Sequence, residues 1–249
     1  MDLSFINISK YSKVPLHEQL RESIVKAIHN GTLKADDKLP TEDELCKAFD
    51  ISRIVVRQSY NDLLKDGLID RGRGRGSFVK KMDDSGLFMH HILSFREEMS
   101  ILNRNCHVDV IKAEQVSYEG SIFKELGLTE NDHCFLLKRV RYADGNPYTY
   151  IENYVRIDRF PKLDAYDFTS HSLYDVLQTD YDTKPSLAKR SIGAMKADAE
   201  IAGYLGVKKN AAVLIMKSVV YDQYDRLIEI SNEYIAGDSH RYDFEVRNN

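Results

Sequence analysis

The first regular pattern of hydrophobic and polar positions in the chain lies between Pro15 and Gly31. Four apolar residues recur there at close to the period of an α-helix, with polar residues between them: Leu16, Leu20, Ile24 and Ile28. Proline suits the first turn of a helix, and glycine suits the position after its end. The segment therefore predicts an amphipathic helix that contributes to the core of a small domain.

A second helix is predicted to begin after Thr41. Glu44 follows Thr41 by three residues, which is the spacing of a capping box, and the apolar pattern continues to Phe49. Residues 50 and 51 then predict a short turn. A helix of about two turns that ends in such a turn is typical of the first half of a helix-turn-helix.

A third helix is predicted from Ser52, whose hydroxyl can cap it, to Gly67, which suits a left-handed position after a helix. Its apolar residues form one stripe: Val56, Tyr60 and Leu63. Arg53 and Arg57 lie about a quarter turn from that stripe. The stripe is expected to pack in the core, which leaves both arginines free to reach outward.

A hairpin is predicted directly after the third helix. Residues 68–70 and 77–79 form two short strands, and residues 71–76 alternate arginine and glycine at the tip. Two short helices followed by such a hairpin predict a winged helix-turn-helix, a unit that binds double-stranded DNA. The candidate DNA-binding residues are Thr41, Ser52, Arg53, Arg57, Arg73, Gly74 and Arg75.

The proposed DNA contacts follow from side-chain chemistry. An arginine near the start of the recognition helix can donate two hydrogen bonds to guanine, and the helix N-terminus favours phosphate. Glycines at the tip let the backbone approach DNA, and arginines suit a narrow minor groove. Two alternatives stay open: the helix arginines could form a solvated face, and the glycine-arginine tract could be a disordered or RNA-binding segment.

The second half of the chain contains an internal repeat of strand, polar turn and strand. Residues 134–155 and 213–234 share this pattern, which predicts a pseudo-symmetric antiparallel sheet. Residues 144–145, Asp-Gly, form a strong two-residue turn that predicts the register of the first hairpin. The predicted opposite pairs are Arg141 with Tyr148, Arg139 with Tyr150, and Leu137 with Glu152.

This register predicts a polar cluster on one face of the first hairpin, with Tyr148, Tyr150 and Glu152 beside Arg139 and Arg141. Two arginines on one strand face repel each other unless an anion or a carboxylate lies between them. The repeat has Ser218 and Val220 at the equivalent positions, and this asymmetry favours an anion site. The alternative is that Glu152 and solvent already satisfy both arginines.

Other polar residues are candidates for the same site. Ser172 precedes a predicted helix and could present its hydroxyl beside free backbone amides, and Ser94 with Phe95 occupies a similar place. Either serine could instead be only a helix cap. Glu229 could accept hydrogen bonds from ligand hydroxyls or pair with a neighbouring lysine.

Composition and charge separate the two halves of the chain. Residues 1–82 hold 15 Lys and Arg against 12 Asp and Glu, a net charge of +3, and the remaining residues hold 20 against 27, a net charge of −7. The acidic half is therefore expected to bind a partner other than DNA. No apolar run is long enough to span a membrane and no signal peptide is recognised, so we expect a cytoplasmic protein.

The sequence predicts neither a metal site nor a cofactor. The three cysteines, Cys46, Cys106 and Cys134, are odd in number and widely spaced, so we expect reduced thiols. The sequence also lacks a nucleophile-and-base motif and a phosphate-binding glycine loop before a helix, which argues against an enzyme.

Residues 39–57 are LPTEDELCKAFDISRIVVR, and GLI and GRGSF follow them. They resemble the GntR family of bacterial transcription regulators, whose pattern is LPSE-x-x-L-x-x-x-F-x-VSR-x-TVR, then GLI and G-x-GSF. The resemblance, which covers residues 15–79, implies DNA contacts by Thr41, Arg53, Arg57 and Gly74. Thr41 keeps the hydroxyl of the usual serine, but Val55 replaces the usual threonine, so one phosphate contact is expected to be absent.

The second half contains SFREEM, RVRYADGNPYTYIENY, SLYDVL, LIEIS and Gly237-Asp238. From about residue 94 onward it resembles the UTRA effector domain of the HutC subfamily, which has a chorismate lyase-like fold. In relatives that respond to sugar phosphates, this resemblance implies phosphate contacts by Ser94, Arg139, Arg141, Ser172 and Tyr174. It implies sugar contacts by Glu152 and Glu229. Ile235 replaces a tyrosine that is frequent in those relatives.

Together these patterns predict an α+β protein with three segments: a winged helix-turn-helix domain at residues 1–79, a linker at 80–92, and an effector-binding and dimerisation domain at 93–249. We expect a homodimeric repressor that a small anionic metabolite, such as a sugar phosphate, releases from a palindromic operator. The alternatives are a non-phosphorylated carboxylate effector, a chorismate lyase-like enzyme, or a structural nucleoid protein.

Overall fold

A computed structural model describes residues 3–72, 76–80, 91–118, 120–238 and 242. The chain forms two compact units, one made of residues 1–90 with 100–103 and the other of residues 91–99 with 104–249. Each unit has its own core and is described separately. Within the described residues, no helix is both long and apolar enough to cross a membrane.

The first unit is a three-helix domain with a small hairpin. Its elements are α1 (Leu16–His29), α2 (Glu42–Phe49), α3 (Arg53–Lys65), β1 (Ile69–Gly72) and β2 (Gly76–Val79). The two strands are antiparallel, and Lys38 forms a further bridge to Phe78. The helices and the hairpin confirm the predicted winged helix-turn-helix, and each wing strand extends further towards the tip than the sequence predicted.

The apolar stripes predicted on the helices form the core of this unit. Leu20, Ile24 and Ile28 of α1 are buried together with the α3 stripe, and Leu16 is partly buried at the edge. The α3 residue Tyr60 also donates a hydrogen bond from its hydroxyl to the Pro40 carbonyl at 2.5 Å. Helix periodicity therefore placed the contribution of α1 and α3 to this core correctly.

The second unit is built on one six-stranded antiparallel sheet with the strand order β3-β4-β5-β8-β7-β6. The strands are β3 (Cys106–Val116), β4 (Cys134–Ala143), β5 (Asn146–Arg156), β6 (Pro185–Lys196), β7 (Ala212–Asp222) and β8 (Leu227–Ala236). The helices are α4 (Phe95–Ile101), α5 (Gly120–Glu125), α6 (Leu173–Asp180) and α7 (Ala199–Leu205), with a short 3-10 helix at Leu163–Ala165. This α+β architecture confirms the predicted fold class.

The internal repeat predicted from the sequence is a repeat of structure. Each half of the sheet consists of an edge strand, a short helix and a hairpin: β3-α5-β4-β5 and β6-α7-β7-β8. The two hairpins meet at the centre of the sheet, where β5 pairs with β8 in antiparallel orientation. The centre of the sheet is therefore formed by both copies of the hairpin.

The predicted register of the first hairpin is wrong by one residue. Tyr142 pairs with Pro147, but Arg141 pairs with Thr149, so Tyr148 is the extra residue of a β-bulge. Pro147 has no N–H to donate to the ladder, and proline inside a sheet is tolerated mainly at edges and bulges. Arg139 consequently pairs with residue 151 rather than 150, which turns β5 over relative to the prediction.

Helices cover the two faces of the sheet differently. On the face that carries Leu137 and Val155, the helix α6 and the segment before it pack through Phe168, Leu173 and Leu177. On the opposite face, α5 and α7 pack at the two ends, in separate apolar clusters. The face covered by α6 is the face that also carries Arg139, Asn153 and Glu229, as the pairing register requires.

A buried carboxylate fixes the turn between β7 and β8. Asp222 accepts hydrogen bonds from the side chains of Arg159 at 2.6 Å and Arg226 at 2.8 Å, and from the backbone amides of Tyr224 and Arg226. Burial alone would raise the pKa of Asp222, but the hydrogen bonds from the Arg226 backbone and the Arg159 side chain outweigh it and lower the pKa to about 2. The ionised carboxylate therefore stabilises the folded state.

We expect Asp222→Asn to reduce the free energy of unfolding of this unit by about 2–3 kcal/mol at pH 7. Because the folded pKa lies below the unfolded one, this stabilisation is present above about pH 4 and is lost as the pH falls towards 2. Urea unfolding followed by circular dichroism at several pH values measures both effects. Asp225→Asn, an exposed change in the same turn, is the matched control, and equal losses in the two variants would contradict the assignment.

Candidate functional site

The start of α2 is capped as the sequence predicted. The Thr41 hydroxyl accepts a hydrogen bond from the Glu44 amide at 3.2 Å, and the Glu44 carboxylate accepts from the Thr41 amide at 2.7 Å. The same carboxylate also accepts from the Thr41 hydroxyl at 2.8 Å. Thr41 can therefore donate its hydroxyl to a DNA phosphate only by giving up its bond to Glu44.

The start of α3 has the same kind of cap. The Ser52 hydroxyl accepts a hydrogen bond from the Val55 amide at 3.4 Å, which leaves its own hydrogen available to a phosphate oxygen. Arg53 and Arg57 follow on the exposed side of the helix, with about 60% of each side chain exposed. These positions agree with a helix N-terminus that presents donors to DNA.

Both helix arginines are paired with acidic residues of α2, which the sequence interpretation did not anticipate. Arg53 lies 2.6 Å from an Asp43 carboxylate oxygen, and Arg57 donates from Nε to Glu42 at 2.8 Å. Exposed pairs of this kind contribute less than about 1 kcal/mol, so the arginines can exchange these carboxylates for DNA at small cost. The sequence feature that could have indicated these ion pairs is the acidic first turn of α2, Glu42-Asp43-Glu44.

The wing tip is described only at its base. Arg73, Gly74 and Arg75 lie outside the described residues, and the pair Gly72 and Gly76 is the last one before them. Gly76 has φ +102°, and a Cβ atom there would lie 3.1 Å from the Lys38 side chain. The positive φ favours glycine at this position, and the Lys38 side chain would have to shift by a few tenths of an ångström for a larger residue.

In the second unit, a chain of hydrogen bonds crosses the face of the sheet that α6 covers. Arg139 donates to the Asn153 side-chain oxygen at 2.8 Å, and Asn153 donates to Glu229 at 2.9 Å. The Tyr174 hydroxyl of α6 donates to the other Glu229 oxygen at 2.7 Å. Three sequence-predicted site residues, Arg139, Tyr174 and Glu229, are thus brought together around Asn153.

Arg141 lies next to this chain and has different partners. It donates from a guanidinium nitrogen to Glu233 at 2.9 Å, and its guanidinium carbon lies 5.3 Å from the centre of the Phe95 ring. The predicted residue Phe95 therefore covers Arg141 through a cation–π contact. Little of the surface of these charged side chains is exposed, so water does not screen them: Arg139, Arg141 and Glu233.

Three buried polar atoms of this cluster have no hydrogen-bond partner among the described residues. They are the Nε atoms of Arg139 and Arg141 and the hydroxyl oxygen of Thr149. Thr149 pairs with Arg141 in the sheet, so the three atoms come from neighbouring positions. An unpaired buried donor is costly, and a ligand with several acceptor oxygens would supply the missing partners.

Burial shifts the pKa values of the ionisable groups in this cluster. Desolvation raises the pKa of Glu229, against the hydrogen bonds from Tyr174 and Asn153 and the charges of both arginines. Desolvation and then the charge of Glu229 raise the pKa of Tyr174 well above its ordinary value. Desolvation and then the charge of Arg141 lower the pKa of Arg139. The site therefore holds its charges in a medium where electrostatic interactions are strong.

The two predicted serines are both helix caps. The Ser94 hydroxyl accepts from the Glu97 amide at 3.3 Å, and the Ser172 hydroxyl accepts from the Asp175 amide at 3.5 Å. Arg96 of α4 donates to the Thr169 carbonyl at 2.9 Å, which ties the start of α4 to the segment before α6. Each hydroxyl keeps a hydrogen that a ligand oxygen could accept.

Glu152 does not join this cluster, and this corrects the sequence prediction. The bulge at Tyr148 places Glu152 on the opposite face of the sheet, where it pairs with Lys138 at 2.7 Å. Tyr150 is on that face too, and its hydroxyl donates to Glu152 at 2.8 Å. Glu152 therefore satisfies Lys138 and Tyr150 rather than Arg139.

The sequence interpretation missed Asn153, Glu233 and Thr149. A signal for Glu233 existed, because Glu229, residue 231 and Glu233 alternate along β8 and therefore share one strand face. Ile235 continues this alternation, is buried, and pairs with Thr149. Asn153 and Thr149 could be placed only with the bulge known.

Comparison with known proteins gives matches along nearly the whole chain. Residues 16–79 match the family described as bacterial regulatory proteins, gntR family, and residues 102–241 match the UTRA domain. The chain is 31% identical over 242 residues to the HTH-type transcriptional repressor NagR of Bacillus subtilis, which covers 96% of this chain and 97% of that protein. It is 27% identical to a probable fructoselysine utilization operon transcriptional repressor of Escherichia coli, over 89% of this chain and 90% of that protein.

Two solved structures share the fold. The possible transcriptional regulator YydK of Bacillus subtilis superposes with a TM-score of 0.66 at 21% identity, over 93% of this chain and 99% of that one. PhnF of Mycobacterium smegmatis superposes with a TM-score of 0.58 at 21% identity, over 91% of this chain and 99% of that one. At this identity the similarity supports the fold alone.

If Arg57 contacts a base, we expect Arg57→Ala to weaken binding to a specific DNA site by about 1–3 kcal/mol, with little change on random DNA. Fluorescence anisotropy at fixed salt concentration measures both affinities. The matched control is Lys65→Ala, which removes one positive charge from the C-terminal end of the same helix. Equal losses on both kinds of DNA would instead indicate a phosphate contact.

Proposed function

Because this chain belongs to the GntR family of bacterial transcription regulators and carries the UTRA domain of its HutC branch, we propose that it represses transcription until a small anionic metabolite binds. The chain is a DNA-binding regulator and not an enzyme. In the proposed mechanism the metabolite is a sugar phosphate or a similar anion. We place this action in the cytoplasm, where the chromosomal DNA lies.

One observation carries the effector part of this proposal. Among the residues that the structure describes, the buried Nε donors of Arg139 and Arg141 have no hydrogen-bond partner, and they lie on neighbouring positions of one sheet face, beside the hydroxyl oxygen of Thr149. Arginine is the side chain best suited to bind phosphate or carboxylate through several hydrogen bonds. Glu229 lies within the same network, so ligand hydroxyl groups would meet an acceptor there.

The proposed arrangement of the chain follows from these roles. Residues 1–79 bind DNA, residues 80–92 connect, and residues 93–249 bind the effector and form a homodimer whose winged units occupy the two halves of a palindromic operator. Release requires that the effector bind the non-operator conformation more tightly. Moving an equilibrium from 1:99 to 99:1 requires a difference of about 5.5 kcal/mol.

The test begins with a screen of the full chain. Thermal shift against sugar phosphates, free sugars and carboxylates identifies effector candidates, since a ligand at 100 times its dissociation constant adds about 2.7 kcal/mol of stability. An operator is selected from a pool of random DNA fragments. A phosphate hit that lowers operator affinity supports the proposal, and a hit only among carboxylates favours the alternative effector class.

We expect Arg139→Ala to keep operator binding and to abolish its response to the effector, because the variant removes anion-binding donors and leaves the winged unit intact. Operator titrations with and without effector measure this response. Glu152→Gln is the matched control, since Glu152 lies on the opposite face, and its response should equal that of the unmodified protein. If Arg139→Ala responds to the effector like the unmodified protein, Arg139 does not bind the effector and the proposal fails. Loss of folding in Arg139→Ala would instead support a structural role for Arg139.

A further inference from the structure

The two arginines at the candidate effector site have hydrogen-bond partners of different charge. Arg139 donates to the amide oxygen of Asn153, which carries no charge. Arg141 donates directly to the carboxylate of Glu233 at 2.9 Å. Among the described residues, a carboxylate is therefore bonded directly to Arg141 but not to Arg139.

The two carboxylates on β8 also differ in the number of hydrogen bonds that they accept. Glu229 is completely buried and both of its oxygens accept hydrogen bonds, one from Asn153 and one from Tyr174. Across the described part of the chain, the single hydrogen-bond partner of the Glu233 side chain is Arg141. Glu229 thus belongs to a closed network, whereas Glu233 is attached only through the arginine.

A buried negative charge beside an anion site changes what the site can bind. An incoming anion must either replace Glu233 at Arg141 or share the arginine with it, and like charges repel strongly where water is excluded. Removing the charge of one partner in a buried pair leaves the other charge uncompensated, so that a new anionic partner is bound more favourably. Removal of the Glu233 charge would therefore leave Arg141 uncompensated and available to the anion.

We propose that Glu233 is an internal counter-ion that competes with the anionic group of the effector for Arg141 and so sets the anion affinity and selectivity of the site. The inference rests on the proposed function, because it requires that Arg141 bind the effector. Simple anions then bind weakly. An effector succeeds only when contacts to its remaining groups supplement the weakened anion contact.

The experiment measures inorganic phosphate binding to the full chain in a phosphate-free buffer, by thermal shift and by calorimetry. Glu233→Gln keeps the size of the side chain and removes its charge, and we expect it to bind phosphate at least tenfold more tightly than the unmodified protein. Glu125→Gln makes the same charge change in an exposed pair with Lys217 and should leave phosphate affinity unchanged. Retained operator binding and an unfolding transition without ligand show that each variant is folded.

A second substitution links the gain to Arg141. If Glu233 acts through Arg141, then Arg141→Gln should remove the gain, and the double variant should bind phosphate no more tightly than Arg141→Gln alone. A gain that persists without Arg141 overturns the inference, and so does unchanged or weaker binding by Glu233→Gln.

The outcomes also separate this inference from the proposed function. If Arg141→Gln weakens phosphate binding but Glu233→Gln does not tighten it, the anion site stands and the counter-ion role is wrong. If neither the unmodified protein nor Glu233→Gln binds phosphate or any anionic ligand of the screen, both are wrong. If phosphate binds only after Glu233→Gln, the counter-ion role is supported.

Discussion

The second unit depends on one constraint: charged side chains at the centre of its sheet must have partners, because water does not reach them. Arg139, Asn153, Glu229 and Tyr174 meet this requirement as a chain of hydrogen bonds that joins three strands and a helix. Leaving any member without its partner is costly, so the network holds β4, β5, β8 and α6 in one arrangement. The same constraint applies to the Nε donors of Arg139 and Arg141, which have no partner among the described residues.

What the sequence could predict was mostly local. The caps at Thr41 and Ser52 and the apolar stripes of α1 and α3 depend on residues a few positions apart, and they are present as predicted. The turn at residues 144–145 was also predicted, but the bulge three residues later was not. The pairing of Arg141 with Glu233 joins residues 92 positions apart, so no local pattern could specify it. The sequence therefore identified the arginines of the candidate site but not several of their partners.

The arginines of the two units differ in their exposure to water. Arg53 and Arg57 are exposed and paired with acids in water, where such pairs are weak and exchange readily. Arg139 and Arg141 are buried, and each exchange of a partner there involves a large change in solvation. Exchange of partners at the arginines therefore has a small energetic cost in the first unit and a large one in the second.

The bulge at Tyr148 has a consequence for evolutionary comparison. In an antiparallel strand, one inserted or deleted residue exchanges the two faces for every position beyond it. A homologous hairpin without the extra residue would turn a different set of β5 side chains towards the face that carries Arg139. Without the bulge, Glu152 would lie on that face, whereas the observed pairing places Asn153 there. Transfer of ligand contacts between homologues should therefore follow the strand pairing and not the alignment column.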